Sequence, residues 1–297
     1  MQDISRFRFR FAALFAAPLL LAGCDGGVDT NNTTVATVAN LTGEFCYDAA
    51  KLEMRTAIDH AGIGHDVLVL IDQTTTFPDA LKSQIKQQVA ALLGPGTRVS
   101  VGTFSAYSSS DFATTAFETR IEPAYPADKR NKAPRAGLRA LDECLAERQL
   151  AQRGALDSAL TKALESGRKD IKFSDVMVSI REFSKRFATA KGPTTLVLVS
   201  DMLENSSATS FYANGEFRQI DPAAELKKAA GKGMLPTLPA SKVFVLGAGL
   251  IPDDAKAKYR SVEQVAALEQ FWEGYFTSGG AASVSIGKPM LIGETIS

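Results

Sequence analysis

Val67-Leu68-Val69-Leu70-Ile71-Asp72-Gln73-Thr74-Thr75-Thr76 is the stretch on which the reading of this chain turns. Five apolar residues in a row describe a strand buried on both faces, as in a parallel sheet. The run stops on a carboxylate, and hydroxyls follow at every second position, giving Asp72-x-Thr74-x-Thr76. Open α/β sheets bind ligands outside the carboxyl ends of their strands. Three hard oxygen donors at such an end suit Mg²⁺, Mn²⁺ or Ca²⁺. Read alone, the same residues equally describe a polar turn whose threonines bond nearby backbone.

Two further apolar runs echo this one: Thr195-Leu196-Val197-Leu198-Val199-Ser200-Asp201, which also ends on a carboxylate, and Lys242-Val243-Phe244-Val245-Leu246-Gly247. Amphipathic stretches lie between them. Leu81, Ile85, Val89 and Leu92 recur at helical spacing after Phe77-Pro78-Asp79 and stop at Gly94-Pro95-Gly96. Residues 98–104 alternate as a half-buried strand. Residues 112–121 follow as an edge strand, antiparallel through a serine-rich turn at Ser108-Ser109-Ser110. Residues 127–168 are charged and alanine-rich. Leu138, Leu141 and Leu145, then Leu156, Leu160 and Leu164, predict two helices separated near Arg153-Gly154.

Ser174 reads as the N-cap of a helix carrying Val176, Ile180, Phe183 and Phe187 on one face. Residues 205–220 read as a polar loop, residues 222–231 as a short helix, residues 262–276 as a helix and residues 283–286 as a last strand. Buried strands alternating with amphipathic helices predict an α/β fold. It would be doubly wound and mostly parallel, with one antiparallel edge strand and a helical insertion at 127–168.

This order of elements resembles the von Willebrand factor A domain. The matching residues are Asp72-x-Thr74-x-Thr76, then Leu198-Val199-Ser200-Asp201, then Val243-Phe244-Val245-Leu246-Gly247-Ala248-Gly249. The resemblance spans roughly residues 65–290 and implies a metal-ion-dependent adhesion site. On that template Thr74 and Thr76 would ligate Mg²⁺ (or Mn²⁺ or Ca²⁺) directly, and Asp72 and Asp201 would act largely through water. Ser174 would supply a third hydroxyl. The sequence departs from the usual pattern by carrying threonine at 74 and 76 and serine at 174. The resemblance also implies a partner protein offering a carboxylate to the metal, and therefore binding rather than catalysis.

The chain opens with Arg6, Arg8 and Arg10, an apolar run from Phe11 to Leu21, and Leu21-Ala22-Gly23-Cys24. The run has the length of a secretory h-region and is too short to span a bilayer as a helix. Its ending resembles the lipobox of bacterial lipoproteins. That implies a signal peptide at 1–23, acylation of Cys24, and attachment to the outer side of the cytoplasmic membrane. Asp25 directly after the cysteine points to the inner membrane. Residues 25–44 are small, polar and without period, and read as a flexible tether, leaving 45–297 as the domain.

The whole chain has a formal charge of zero over 297 residues, so nothing suggests that it neutralises nucleic-acid phosphates. Besides Cys24 there remain Cys46 and Cys144, most simply a disulfide in an oxidising compartment; two buried thiols are the alternative. His60 and His65 flank a glycine-containing turn and form no recognisable zinc or nucleophile arrangement. A haloacid dehalogenase-type phosphatase also places an aspartate after its first strand. It needs a second one two residues later as general acid, and Thr74 stands there. A metal-free structural lipoprotein is the other alternative.

Overall fold

The computed structural model describes residues 45–54, 64–106, 113–168, 173–214, 216–251, 260–287, 290 and 296. Cys24, the segment around it, His60 and the Ser108–Ser110 turn lie outside the described residues.

Strand β1 (Asp66–Asp72) is buried at every position and lies at the centre of a six-stranded sheet. Beside it run β2 (Arg98–Phe104) and β4 (Thr194–Val199), both parallel to it. β3 (Ala113–Arg120) forms the antiparallel edge beyond β2. The short strands β5 (Tyr212–Ala213) and β6 (Glu216–Phe217) form a separate hairpin in the segment read as a loop. β7 (Lys242–Leu246) and β8 (Ser283–Ile286) extend the main sheet in parallel, giving the order β3-β2-β1-β4-β7-β8. The chain winds outward from β1 to β3 and then restarts on β1's other side with β4. The topological switch point, where such sheets bind ligands, therefore lies between β1 and β4.

Successive side chains of a strand point to opposite faces, so the apolar runs supply two cores. Val67, Val69 and Ile71 pack with Val197 and Val199 under α2 (Asp79–Ala91) and α3 (Arg135–Glu165). Leu68 and Leu70 pack with Leu196 and Leu198 under α4 (Val176–Ser184). On that second face α5 (Pro222–Gly231) and α6 (Val262–Ser278) complete the cover. A 3-10 turn (Lys185–Thr189) follows α4, ending its helical run short of Gly192-Pro193. From α6, Leu268, Phe271, Trp272, Tyr275 and Phe276 are buried, each worth about 1.5–3 kcal/mol in transfer from water. The fold is thus a Rossmann-like α/β sandwich with helices on both faces.

The two helices expected in 127–168 are one. After a 3-10 turn (Ala127–Lys132), α3 runs unbroken for 31 residues through Gly154. The apolar stripe is interrupted in the sequence because its middle positions are polar, yet Arg148 and Gln152 are buried. Gln152 Nε2 donates to the Arg120 carbonyl (2.7 Å) and the Thr119 hydroxyl (2.8 Å), and Arg148 pairs with Glu122 (3.5 Å). These long-range partners outweigh the roughly 1 kcal/mol cost of a mid-helix glycine.

Gln152 lies level with the end of β3, and Ser166, just past α3, donates to Gln73 at the opposite end of the sheet. The earlier part of α3 therefore overhangs the sheet, by roughly 25 Å at 1.5 Å per residue. Helix α1 (Phe45–Ala50) packs on this overhang through a small core of Cys46, Tyr47, Ala50, Met54 and Leu141. Cys46 and Cys144 form the expected disulfide, with Cα atoms 5.6 Å apart across 98 residues of sequence. The Cys46 N–H also donates to Glu122 (3.2 Å), and the Tyr47 hydroxyl to the Pro123 carbonyl (2.7 Å). Cross-linking so long a loop restricts the unfolded chain. Replacing both cysteines by serine should lower unfolding stability by about 2–4 kcal/mol. Urea titrations with and without reductant check this, and an unchanged midpoint would contradict it.

Candidate functional site

Asp72 ends β1 and is completely buried. Its Oδ1 accepts from the backbone N–H of Thr74 (2.8 Å) and from the Thr74 hydroxyl (2.6 Å). Its Oδ2 accepts from the hydroxyls of Ser200 (2.7 Å) and Ser174 (3.3 Å). These donors come from three separate loops, following β1, preceding α4 and following β4. A carboxylate has about four lone-pair positions, so Asp72 is saturated and has none left for direct ligation of a cation.

The second carboxylate, Asp201, follows Ser200 and is also buried. Its Oδ1 accepts from the Leu203 N–H (3.0 Å). Burial, with the charge of Asp72 added to it, pushes its carboxyl up to about 7; the Leu203 N–H, the Arg260 charge and the Thr75 hydroxyl act the other way. Burial also raises Asp72, against the pull of its hydroxyl donors. Two buried carboxyls that each resist ionisation beside the other form a site that a divalent cation would relieve.

The hydroxyls are arranged for the same task. A hydroxyl has one proton and two lone pairs. Thr74, Ser174 and Ser200 spend their protons on Asp72, which leaves oxygen lone pairs for a hard cation. Ser200 has one fewer to offer, because it also accepts from the Met202 N–H (2.9 Å). The donor set therefore fits Mg²⁺ or Mn²⁺. Among the described residues there is no group of three or more His, Cys, Asp or Glu side chains placed to hold a metal. That bears on histidine- and thiolate-rich sites rather than on a cluster built mainly of hydroxyls.

The expected residues thus divide. Asp72, Thr74, Ser174 and Asp201 come together at the switch point. Thr76 lies on the same turn, half-buried, while its neighbour Thr75 turns inward to Asp201. The turn is pressed from behind by Gly167: a Cβ there would come 2.5 Å from the Thr75 carbonyl oxygen. Ser174 is not the helix cap. Asp175 occupies that position without a side-chain cap bond, and the Met177 N–H is satisfied by Glu204 Oε2 (2.9 Å). Ser174 instead bridges to Asn205 as an isolated antiparallel pair, which directs it towards Asp72. His65 sits at the far end of β1, bonded to the Thr195 hydroxyl (2.8 Å).

Sequence reading missed several parts of the site. Ser200 stands beside a recognised aspartate, and its placement follows once β1 and β4 are neighbours in register, Ile71 opposite Val199. Met202 is held in the left-handed region (φ 64), a conformation costly for a residue with a Cβ. The indole N–H of Trp272 pins its carbonyl at 2.9 Å. Gly247, at φ 101, lets the end of β7 pass the Ser200 carbonyl, where a Cβ would come within 2.9 Å.

No protein-family model matches the chain, and no curated relative matches it. Among solved structures, BatB from Bacteroides thetaiotaomicron overlaps 75% of this chain and 89% of its own, at 12% identity and a TM-score of 0.34. An aerotolerance-related membrane protein from Bacteroides fragilis, carrying multiple mutations to serine, overlaps 77% and 93%, at 14% identity and a TM-score of 0.33.

Glu204 anchors the start of α4, and with it the Ser174 segment, from a fully buried position. Burial pushes its carboxyl up to about 8 against the Ser206 hydroxyl and the N–H groups of α4. The folded chain therefore holds a proton that the unfolded chain releases from about its ordinary value of 4.5, and stability falls between that pH and about 8. Glu204→Gln keeps an acceptor for Met177 and abolishes the ionisation. Relative to wild type it should gain about 1–3 kcal/mol between pH 5 and pH 9. Melting curves at the two pH values check this; a stability difference independent of pH would contradict it.

Proposed function

We propose that the chain is a membrane-anchored, von Willebrand factor A-like binding module whose oxygen cluster holds a divalent cation and presents it to a partner protein. The observation that carries this reading is the saturated Asp72 carboxylate, ringed by hydroxyls whose lone pairs remain for a cation. The hydroxyls of Thr74, Thr76 and Ser174 would hold Mg²⁺ (or Mn²⁺ or Ca²⁺), and Asp72 and Asp201 would supply charge, Asp201 largely through water and Asp72 through the hydroxyls bonded to it. A partner's carboxylate would complete the coordination of the metal. Such recognition needs no bond-making step, and the reading is non-enzymatic.

A phosphatase of the haloacid dehalogenase type would need a carboxylic acid two residues after Asp72. Thr74 occupies that position, and its proton is committed to Asp72. The anchoring part of the proposal rests on the lipobox resemblance at Cys24. Among the described residues no helix is long and apolar enough to cross a membrane.

Trp272 is the chain's single tryptophan and is bonded to the residue after Asp201, so it reports directly on the site. Millimolar Mg²⁺ or Mn²⁺ should change its emission and raise the melting temperature, and Asp72→Ala/Thr74→Ala should abolish both responses. The same variant, or a chelator, should release the bound partner in a pull-down from envelope extract. Absence of any metal response would contradict the metal site. A metal response with an unchanged set of bound proteins would contradict its use in recognition. Mg²⁺-dependent phosphatase turnover lost on Asp72→Asn would contradict the non-enzymatic reading.

A further inference from the structure

The end of the sheet away from Asp72 is markedly basic. Strands β2 and β7 begin on Arg98 and Lys242, β3 ends on Arg120, and Lys191 lies just before β4. Register places them at one end: Arg98 pairs with both Asp66 and Arg120, and Lys242 with Thr195. A hollow of about 230 Å³ there is lined in part by His65, Arg98, Arg120 and Lys191. Asp66 offsets some of this charge by pairing with Arg98 (2.5 Å) and Arg186 (3.4 Å).

The start of the overhang adds to it. Residues 127–139 contain Lys129, Arg130, Lys132, Arg135 and Arg139 against a single acid, Asp128, while exposed acids follow at Asp142, Glu143 and Glu147 on α3 and stand at Asp48 and Glu53 on and after α1. Lys132, Arg135 and Arg139 are exposed, while Arg130 pairs with Asp142. The chain as a whole is neutral, so this concentration of charge is local.

The path of the chain supplies an independent argument. Helix α1 is fastened at this same end by the Cys46–Cys144 disulfide and the Cys46–Glu122 hydrogen bond. Only residues 25–44 separate it from Cys24. A coil of that length, as the small and polar composition of the segment suggests, has a mean reach of about 25 Å. An acyl anchor on Cys24 would therefore hold the basic end, and not the Asp72 end, near the bilayer.

We propose that this basic end lies against anionic phospholipid headgroups, so that the oxygen cluster faces away from the membrane. Each basic side chain near an anionic leaflet adds attraction, which decays over a Debye length of about 10 Å. The outward orientation rests on the anchoring reading above; the basic surface does not.

The test uses the chain from residue 24 with Cys24→Ser, so that no acyl chain contributes. All described elements start at Phe45 or later. Sedimentation with phosphatidylglycerol-containing vesicles, in chelator and low salt, should carry the protein down. Pure phosphatidylcholine vesicles should not, and raising salt should release it. Lys132→Glu/Arg135→Glu/Arg139→Glu should lose roughly tenfold or more of the partitioning at an unchanged melting temperature. The milder Lys132→Gln/Arg139→Gln should fall between, which keeps the test open if charge reversal disturbs α3. Failure to bind anionic vesicles would overturn the proposal. So would equal binding to neutral vesicles, undiminished binding by both variants, or stronger retention on a duplex oligonucleotide than on vesicles. The assay contains neither metal nor partner, so its failure is distinct from failure of the oxygen site.

Discussion

The buried Asp72 carboxylate is the constraint on which the rest of the site depends. A carboxylate at the core end of a central strand is costly unless its oxygens are fully bonded. Here the bonds come from Thr74, Ser174 and Ser200, so satisfying one side chain fixes the relative positions of three loops. Those loops are in turn supported from outside. Glu204 holds the start of α4, Trp272 holds the Met202 carbonyl, and Gly167 allows the end of α3 to press on the Thr75–Thr76 turn. The proposed metal chemistry is a consequence of this arrangement: the hydroxyls turn their protons inward to Asp72 and keep their lone pairs.

The sheet also gives the molecule two unlike ends. At the carboxyl ends of β1 and β4 sit two buried acidic groups, with Arg260 within electrostatic reach of Asp201. At the other end sit arginines, lysines and the overhang of α3, joined to α1 by a disulfide. Because β1, β2, β4 and β7 are parallel, their starts and ends cannot mix, so a single topology separates the two chemistries by the length of a strand. For a tethered protein, that separation would place attachment and recognition on opposite sides.

Much of this was legible in the chain because the deciding signals are local. The runs at Val67–Ile71, Leu196–Val199 and Val243–Leu246 are apolar on both faces, as the strands of a covered parallel sheet are. Asp72 and Asp201 were visible as the charges that end two of these runs. What was not legible depends on partners far along the chain. The continuity of α3 hides behind Arg148 and Gln152, whose burial makes sense only beside Glu122, Thr119 and Arg120. Ser174 looks like a helix cap until Glu204 is seen to bond the first turn of α4. Once the strand ends, its two-residue period no longer says which threonine faces inward, so the turn of Thr75 to Asp201 could not be read from spacing. Trp272 and Arg260 reach the site from the α6 region with no local motif to announce them.

The proposed binding role stands on the hydroxyls around Asp72 ligating a divalent cation. A crystal grown with Mn²⁺, examined by anomalous scattering, tests it most directly. The expected peak is bonded to the hydroxyl oxygens of Thr74, Thr76 and Ser174, with Asp72 still bonded to its own donors and outside direct contact. No peak at the cluster, or a Mn²⁺ ion held elsewhere on the chain, would contradict it.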